Sequence, residues 1–182
     1  METNQKVIEE TKDWINKVVI GCNFCPFAAK VVKQNAVRYE IIENKTVDQL
    51  MAIVLDEMLR LDQDKNIETS FLIFPNSYND FNEYLKLVSE AEKLLTKNGY
   101  EGIYQLASFH PLYQFADSLE NDAANFTNRS LFPMLHLLRE ESIEKALVSY
   151  ESPESIPERN INFAREKGQA YMKMLRDSCL NA

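Results

Sequence analysis

The only two histidines of the chain lie in one stretch and are the first candidates for acid–base chemistry. His110 directly follows a predicted strand, and in open α/β sheets ligands bind outside the carboxyl ends of the strands. His136, Arg139 and Glu140 have a spacing that would place imidazole, guanidinium and carboxylate on one face of a helix. A structural interpretation stays open for both histidines, since His110 could bond a backbone carbonyl and the face of His136 could meet solvent.

The cations of the same stretch are arginines. No lysine occurs between Lys97 and Lys145, although the rest of the chain is rich in lysine. An ordinary solvated surface would use lysine more freely, so these arginines are expected to contact a small carboxylate or phosphate ligand, with asparagines to orient it. The candidate ligand-binding residues are Asn125, Asn128, Arg129, Arg139 and, from a later segment, Arg159.

Cys25 is the candidate nucleophile. It precedes Pro26 at a predicted helix start, where unpaired backbone amides and the positive end of the helix dipole favour the thiolate. Burial as a small apolar side chain is the commoner fate of a cysteine. Cys22 precedes Cys25 with CxxC spacing, which also allows a thiol–disulfide redox protein. The helical pattern that runs unbroken up to Gly21 argues against the strand that such a protein places before its CxxC motif.

Three kinds of function would use these residues. In a thiol-dependent hydrolase or transferase, Cys25 attacks the substrate with His110 or His136 as base, and Arg129 or Asn128 holds an oxyanion or an anionic substrate. In a metal-dependent enzyme, Cys25, His110 and His136 bind zinc or iron, with Glu140 as fourth ligand or base. In a non-catalytic module, the arginines bind a small anion. We favour an enzyme without a metal, because three scattered ligands are a weak sign of a metal site.

Hydrophobic periodicity predicts strands over residues 37–42, 70–74 and 103–109, which alternate with helices. This order is typical of βαβ units. The sequence therefore predicts an α/β fold with a small, largely parallel three- or four-stranded sheet flanked by helices. Thr46 and Gln49 have the spacing of a capping box that opens one of these helices, and Gly21 is expected to be the left-handed cap of the first helix.

One domain is expected from the length of 182 residues, in three parts. Residues 1–111 form the α/β core, and the polar segment 112–130 is long enough to be a functional loop. Residues 131–182 form a helical C-terminal part, with helices over residues 130–140 and 142–150 and a last helix that starts near Ser155.

The charge balance disfavours one class of partner. With 20 basic and 28 acidic residues the net charge is −8, so most of the surface repels phosphate backbones and general nucleic-acid binding is not expected. No run of 18 apolar residues predicts a membrane span. Three cysteines and the lack of a signal-peptide pattern predict a cytoplasmic protein. The candidate site residues predict a small-molecule ligand as its partner.

Five blocks of the sequence resemble the bacterial domain-of-unknown-function family 1415. The resemblance spans nearly the whole chain, and every candidate residue above falls within a block; it implies no activity. The family has leucine at the position of Cys22, so the resemblance extends to Cys25 but not to a CxxC pair. The blocks are residues 19–28, 104–111, 125–130, 133–140 and 156–160.

Overall fold

Four strands form one mixed sheet in a computed structural model, which describes residues 3–148 and 150–180. β1 and β2 pair in parallel, whereas β4 is antiparallel to both of its neighbours, β2 and β3. β1, β2 and β3 therefore run in one direction, and β4 lies between β2 and β3 in the opposite direction. The strands are β1 (Val37–Ile41), β2 (Thr69–Ile73), β3 (Tyr104–Phe109) and β4 (Met134–Arg139), in spatial order β1-β2-β4-β3.

The predicted α/β class, the flanking helices and the helical C-terminal part are confirmed, but the largely parallel sheet is wrong. The error comes from residues 130–140, which were expected to form a helix and instead contain β4. Apolar residues at nearly every position of this segment fit a helix, but they equally fit a strand that is buried on both faces. β4 is internal to the sheet and pairs on both sides, and its residues Met134 and Leu135 are buried on opposite faces.

Helices cover both faces of the sheet. The first helix continues directly into a π-helix (Ile15–Ile20). Thr46 and Gln49 form the predicted capping box at the start of α3. No helix in the described part of the chain is long and apolar enough to cross a membrane. The helices are α1 (Asn4–Trp14), α2 (Ala28–Lys33), α3 (Val47–Gln63), α4 (Phe81–Lys97), α5 (Glu140–Leu147), α6 (Ile156–Lys167) and α7 (Gln169–Asp177), with 3-10 turns at Ala123–Thr127 and Pro153–Ser155.

The two faces of the sheet are buried against different helices. Successive side chains of a strand point to opposite faces. Leu72, Leu135 and Leu137 point to one face and pack with α3 and α4 in an apolar cluster, so this side is called the α3/α4 face. Phe71 and Met134 point to the other side and pack with α1, the π-helix, α6 and α7. This second side is called the α1 face.

Gly21 ends the π-helix for a reason other than the one expected. We expected a left-handed cap, but its φ is −62°, an ordinary right-handed value. A Cβ atom on this residue would lie 2.2 Å from the carbonyl oxygen of Lys17. Glycine is therefore required by the close approach of the helix backbone. The left-handed conformation falls two residues later, at Asn23 with φ of 55°.

Gly21→Ala is expected to lower the free energy of unfolding by about 2 kcal/mol or more, because the π-helix must distort to relieve the overlap. Gly102→Ala is the matched control, since Gly102 has φ of +75° and open space around its Cβ position. Gly102→Ala should lower the free energy of unfolding by only about 1 kcal/mol, the cost of an alanine in the left-handed conformation. Urea denaturation measures both values. An equal or smaller loss in Gly21→Ala would contradict the steric explanation.

Candidate functional site

The turn that carries Cys25, residues 21–27, is held by α6 and is called the cysteine turn. Arg159 donates from Nη2 to the carbonyl oxygen of Asn23, and Asn160 donates from Nδ2 to that of Phe24 at 2.7 Å. Phe24 also packs edge-on against Phe163 of α6, with ring centroids 5.8 Å apart. Arg159 was predicted to bind an anionic ligand. One of its guanidinium nitrogens instead binds the main chain of this turn.

Cys25 is partly buried, whereas Cys22 and Cys179 are buried. Burial raises the pKa of the Cys25 thiol above its usual value, while the amides of Phe27 and Ala28 lower it by a smaller amount. The predicted amide donors are present, but the predicted net shift toward the thiolate is wrong. Desolvation outweighs two hydrogen bonds, because both act on the same charged form in opposite directions.

His110 ties the end of β3 to the loop between β2 and α4. It is fully buried; its Nε2 donates to the carbonyl oxygen of Tyr78 at 2.8 Å and its Nδ1 accepts from the amide of Leu112 at 3.0 Å. Tyr78 has a left-handed φ of 58°, which this hydrogen bond helps to hold. Both nitrogens are used in the fold, and burial lowers the pKa of His110.

Asn125 and Arg129 fold the predicted functional loop onto the protein. Asn125 is fully buried and accepts at Oδ1 from the Ser118 hydroxyl at 2.7 Å and from the Phe115 amide at 3.1 Å. Arg129 donates to the carbonyl oxygens of Tyr113 at 2.9 Å and of Glu120 at 2.8 Å. A buried polar group that loses its partner costs about 1–3 kcal/mol, so both residues have a structural reason to be present.

Asn128 and Arg139 also bind main-chain groups. Asn128 pairs with the outer edge of β3, since its side chain donates to the carbonyl of Ser108 at 3.2 Å and its own carbonyl accepts from the amide of His110 at 3.2 Å. Arg139 donates to the carbonyl oxygens of Asp64 at 3.3 Å and Ile67 at 3.0 Å, and to that of Leu61. Its charge lies at the carboxyl end of α3, where the helix dipole favours a cation.

His136 lies in the central strand β4 and not on a helix. On a strand, His136 and Arg139 point to opposite faces, and Glu140 already begins α5, so the three side chains share no face. The imidazole stacks on Phe71, with ring centroids 3.8 Å apart and planes at 9°. It stands on the α1 face, which it shares with Phe71.

One ring nitrogen of His136 forms a hydrogen bond with a described residue and the other does not. Thr69 donates its hydroxyl hydrogen to the carbonyl of Leu137, so at 2.5 Å from the same hydroxyl oxygen the Nε2 of His136 acts as the donor. Nδ1 is then an acceptor, and no residue that the structure describes donates to it. His136 is partly exposed, but desolvation of its ring lowers its pKa to about 3, so the ring is neutral at physiological pH.

The two histidines do not meet. His110 packs against Phe81 and Tyr84 of α4, at centroid distances of 5.1 Å and 4.9 Å, on the α3/α4 face. His136 stands on the α1 face, across the sheet from it. Within residues 3–148 and 150–180, no three His, Cys, Asp or Glu side chains form a group that could hold a metal ion. The shared constellation of Cys25 and both imidazoles therefore does not assemble.

The sequence reasoning missed the neighbours that the strand register gives to His136. Tyr39, Phe71, His136 and Ala107 lie opposite one another on four adjacent strands. Tyr39 and Phe71 are parallel at 8°, with centroids 6.0 Å apart, and Lys12 lies 5.4 Å above the Tyr39 ring. Tyr39, Phe71 and His136 are called the aromatic row. The only signal for it in the sequence is the alternation within each strand, which becomes usable once β4 is known to be a strand.

Cys25 is expected to alkylate with iodoacetamide at pH 7.5 more slowly than the same cysteine in urea-unfolded protein, because its raised pKa leaves less thiolate. It should still react faster than Cys22 and Cys179, which are buried. Peptide mass spectrometry over time gives the three rates. A Cys25 rate above that of the unfolded chain would restore the activated-nucleophile hypothesis.

The free energy of unfolding is expected to fall as the pH drops from about 6.5 toward 3, because the unfolded chain then binds protons that neutral His136 and His110 do not. Each histidine contributes a slope of up to roughly 1.4 kcal/mol per pH unit. His136→Gln should remove about half of the slope measured by urea denaturation between about pH 5 and 6.5, above the range of most carboxylates. An unchanged slope would show that His136 titrates alike in both states.

The comparison with known families gives one match. A family model described as "Protein of unknown function (DUF1415)" matches residues 6–174 of the 182. The comparisons with curated proteins and with solved structures give no match. The five blocks singled out in the sequence lie within the matched range. The chain therefore belongs to the DUF1415 family of proteins of unknown function.

Proposed function

We propose that this protein binds a small uncharged organic molecule on an open part of the α1 face, with His136 as the polar contact. The area in question comprises Gln105, which is exposed, and Ala107, His136 and Leu138, which are partly exposed. The register places all four on one face, as two neighbouring pairs of β3 and β4. We call these four residues the open sheet face.

His136 is the observation that carries this proposal. The middle of an internal strand is a position for an apolar side chain, and its neighbours Leu135 and Leu137 are fully buried. His136 is a partly exposed residue with an acceptor nitrogen that no described residue uses, which suits a ligand with an N–H or O–H donor. Such a ligand would replace water at Nδ1.

The charge state of His136 favours binding of a neutral molecule over acid–base catalysis. A general base works best with a pKa near the working pH. With a pKa of about 3, His136 is a weak base and carries no positive charge to attract an anion. Anion binding has less support than the sequence suggested, because Arg129, Arg139 and Arg159 all donate to main-chain carbonyls.

The enzyme hypotheses keep less support from the geometry. A metal held jointly by Cys25, His110 and His136 would need ligands from both faces of the sheet. A thiol mechanism would begin from a cysteine whose pKa is raised. We therefore propose binding as the function and leave hydrolase or transferase activity as a prediction of the sequence alone.

The test is a fragment screen of uncharged compounds against 15N-labelled protein, read by amide chemical-shift changes. Compounds with an N–H or O–H donor should shift the amides of residues 105–107 and 136–138. His136→Leu should weaken the best of them roughly three- to tenfold, the size of one neutral hydrogen bond.

Gln34→Leu is the matched control, a polar-to-leucine change at an exposed position at the end of α2, and should leave the affinity unchanged. Shift changes that cluster at the cysteine turn or in residues 112–130 would contradict the proposal, and so would binding that His136→Leu does not weaken.

A further inference from the structure

We propose that the ligand of the open sheet face carries a planar heteroaromatic ring, which stacks on the free side of His136 above Ala107. This inference rests on the proposed function and names the chemical class of the ligand. The geometry that points to it is an aromatic row that stops one strand short of the sheet edge.

The aromatic row has a regular construction. Its three rings stand in register on β1, β2 and β4, and their planes differ by only 8° and 9°. Neighbouring strands lie about 4.8 Å apart, which leaves room for parallel rings in near contact. Phe71 covers one side of the imidazole at 3.8 Å. The other side of the imidazole looks toward β3, the edge strand.

At the next position of the row, β3 carries only a methyl group. Ala107 is the direct partner of His136 in the β3–β4 pairing. A ring at this position would have continued the row to the edge of the sheet. Ala107 and His136 are both partly exposed, so solvent reaches the space that such a ring would fill. We call the space above Ala107 and beside His136 the ring slot.

Phe109, the next residue of β3 on the same face, does not fill the ring slot. β2 and β3 are separated by β4, so their backbones lie about 10 Å apart. Yet the ring of Phe109 is 6.4 Å from that of Phe71 on β2 and 6.0 Å from that of His136. Phe109 therefore leans inward over the row, where Trp14 packs edge-on against it at 5.3 Å. Because Phe109 leans inward, Ala107 stays partly exposed.

The shape and polarity of the ring slot select a planar heterocycle. A flat aromatic ring meets the imidazole at stacking distance, whereas the axial hydrogens of a saturated ring hold it further away. At the far end of the slot, Gln105 is exposed and offers one amide donor and one carbonyl acceptor. The best match is an uncharged ring with a neighbouring N–H donor and acceptor on its edge, the pattern found on nucleobases.

Two probes separate the ring from its polar edge. 2-Pyridone is a planar aromatic ring with adjacent N–H and C=O groups, and δ-valerolactam is its saturated counterpart with the same two groups. Titrated into the 15N-labelled full chain, 2-pyridone should bind roughly three- to tenfold more tightly, the range expected of one aromatic stack. His136→Phe should keep this preference, because it keeps the stacking surface, whereas His136→Leu should lose it.

Ala107→Phe fills the ring slot with a ring of the chain itself. The variant should keep its melting temperature and lose binding of 2-pyridone at least tenfold. Ala52→Phe, the same change at an exposed position of α3, is the matched control and should bind normally. If Ala107→Phe does not fold, the two probes and the two His136 variants still decide the question.

The outcomes distinguish two claims: that the open sheet face binds a small molecule, and that this molecule carries an aromatic ring. If the two probes bind with equal affinity and His136→Leu weakens both, the ligand needs no aromatic ring, but the open sheet face remains the binding site. Shift changes away from the open sheet face would overturn both. A dimer that forms through this face and is abolished by Ala107→Phe would place an aromatic side chain of a second copy in the slot and overturn the ligand.

Discussion

The position of β4 between β2 and β3 is the constraint on which the rest of the structure depends. As the antiparallel strand between them, it joins the β1–β2 pair to β3 in the sheet of the described residues. Its alternation sends Leu135 and Leu137 to one core and Met134 to the other, and it places His136 on the same face as Met134. At its end, Arg139 reaches the carbonyls that close α3. Both cores and the environment of His136 thus follow from one strand whose apolar residues serve two faces.

Most of the polar residues that attract attention in the sequence hold the main chain in place. Buried Asn125, Arg129 and Asn160 bind the carbonyls and amides of turns, which have no neighbouring strand or helix to satisfy them. An unsatisfied main-chain group in such a position is costly, so a turn can require a particular side chain as strictly as an active site does. His136 differs from them, because no described residue forms a hydrogen bond with one of its two nitrogens.

Local features were predictable from the sequence, and features set by pairing were not. The capping box at Thr46 and the strands over residues 37–42, 70–74 and 103–109 depend on near neighbours, and they were found almost at their observed limits. β4 was missed because its apolar run fits two periods, and only its partners in β2 and β3 decide between them. The contacts of the candidate site residues could not be predicted for the same reason. These residues were identified by type, but which carbonyl Arg139 binds, and that Ala107 faces His136, depends on contacts far apart in sequence.

The hydrogen bonds from α6 to the cysteine turn affect the order of folding. Arg159 and Asn160 bind carbonyls that lie 136 residues earlier in the chain. Within residues 3–148 and 150–180, β3 pairs with β4 alone, so β3 has no partner strand until β4 has been synthesised. During synthesis the chain up to residue 133 therefore emerges with β3 unpaired and the cysteine turn not yet bound by α6, and the native state is reached only after β4 and α6 have been made. Contacts of such long separation slow folding, because the closure entropy must be overcome before they contribute stability.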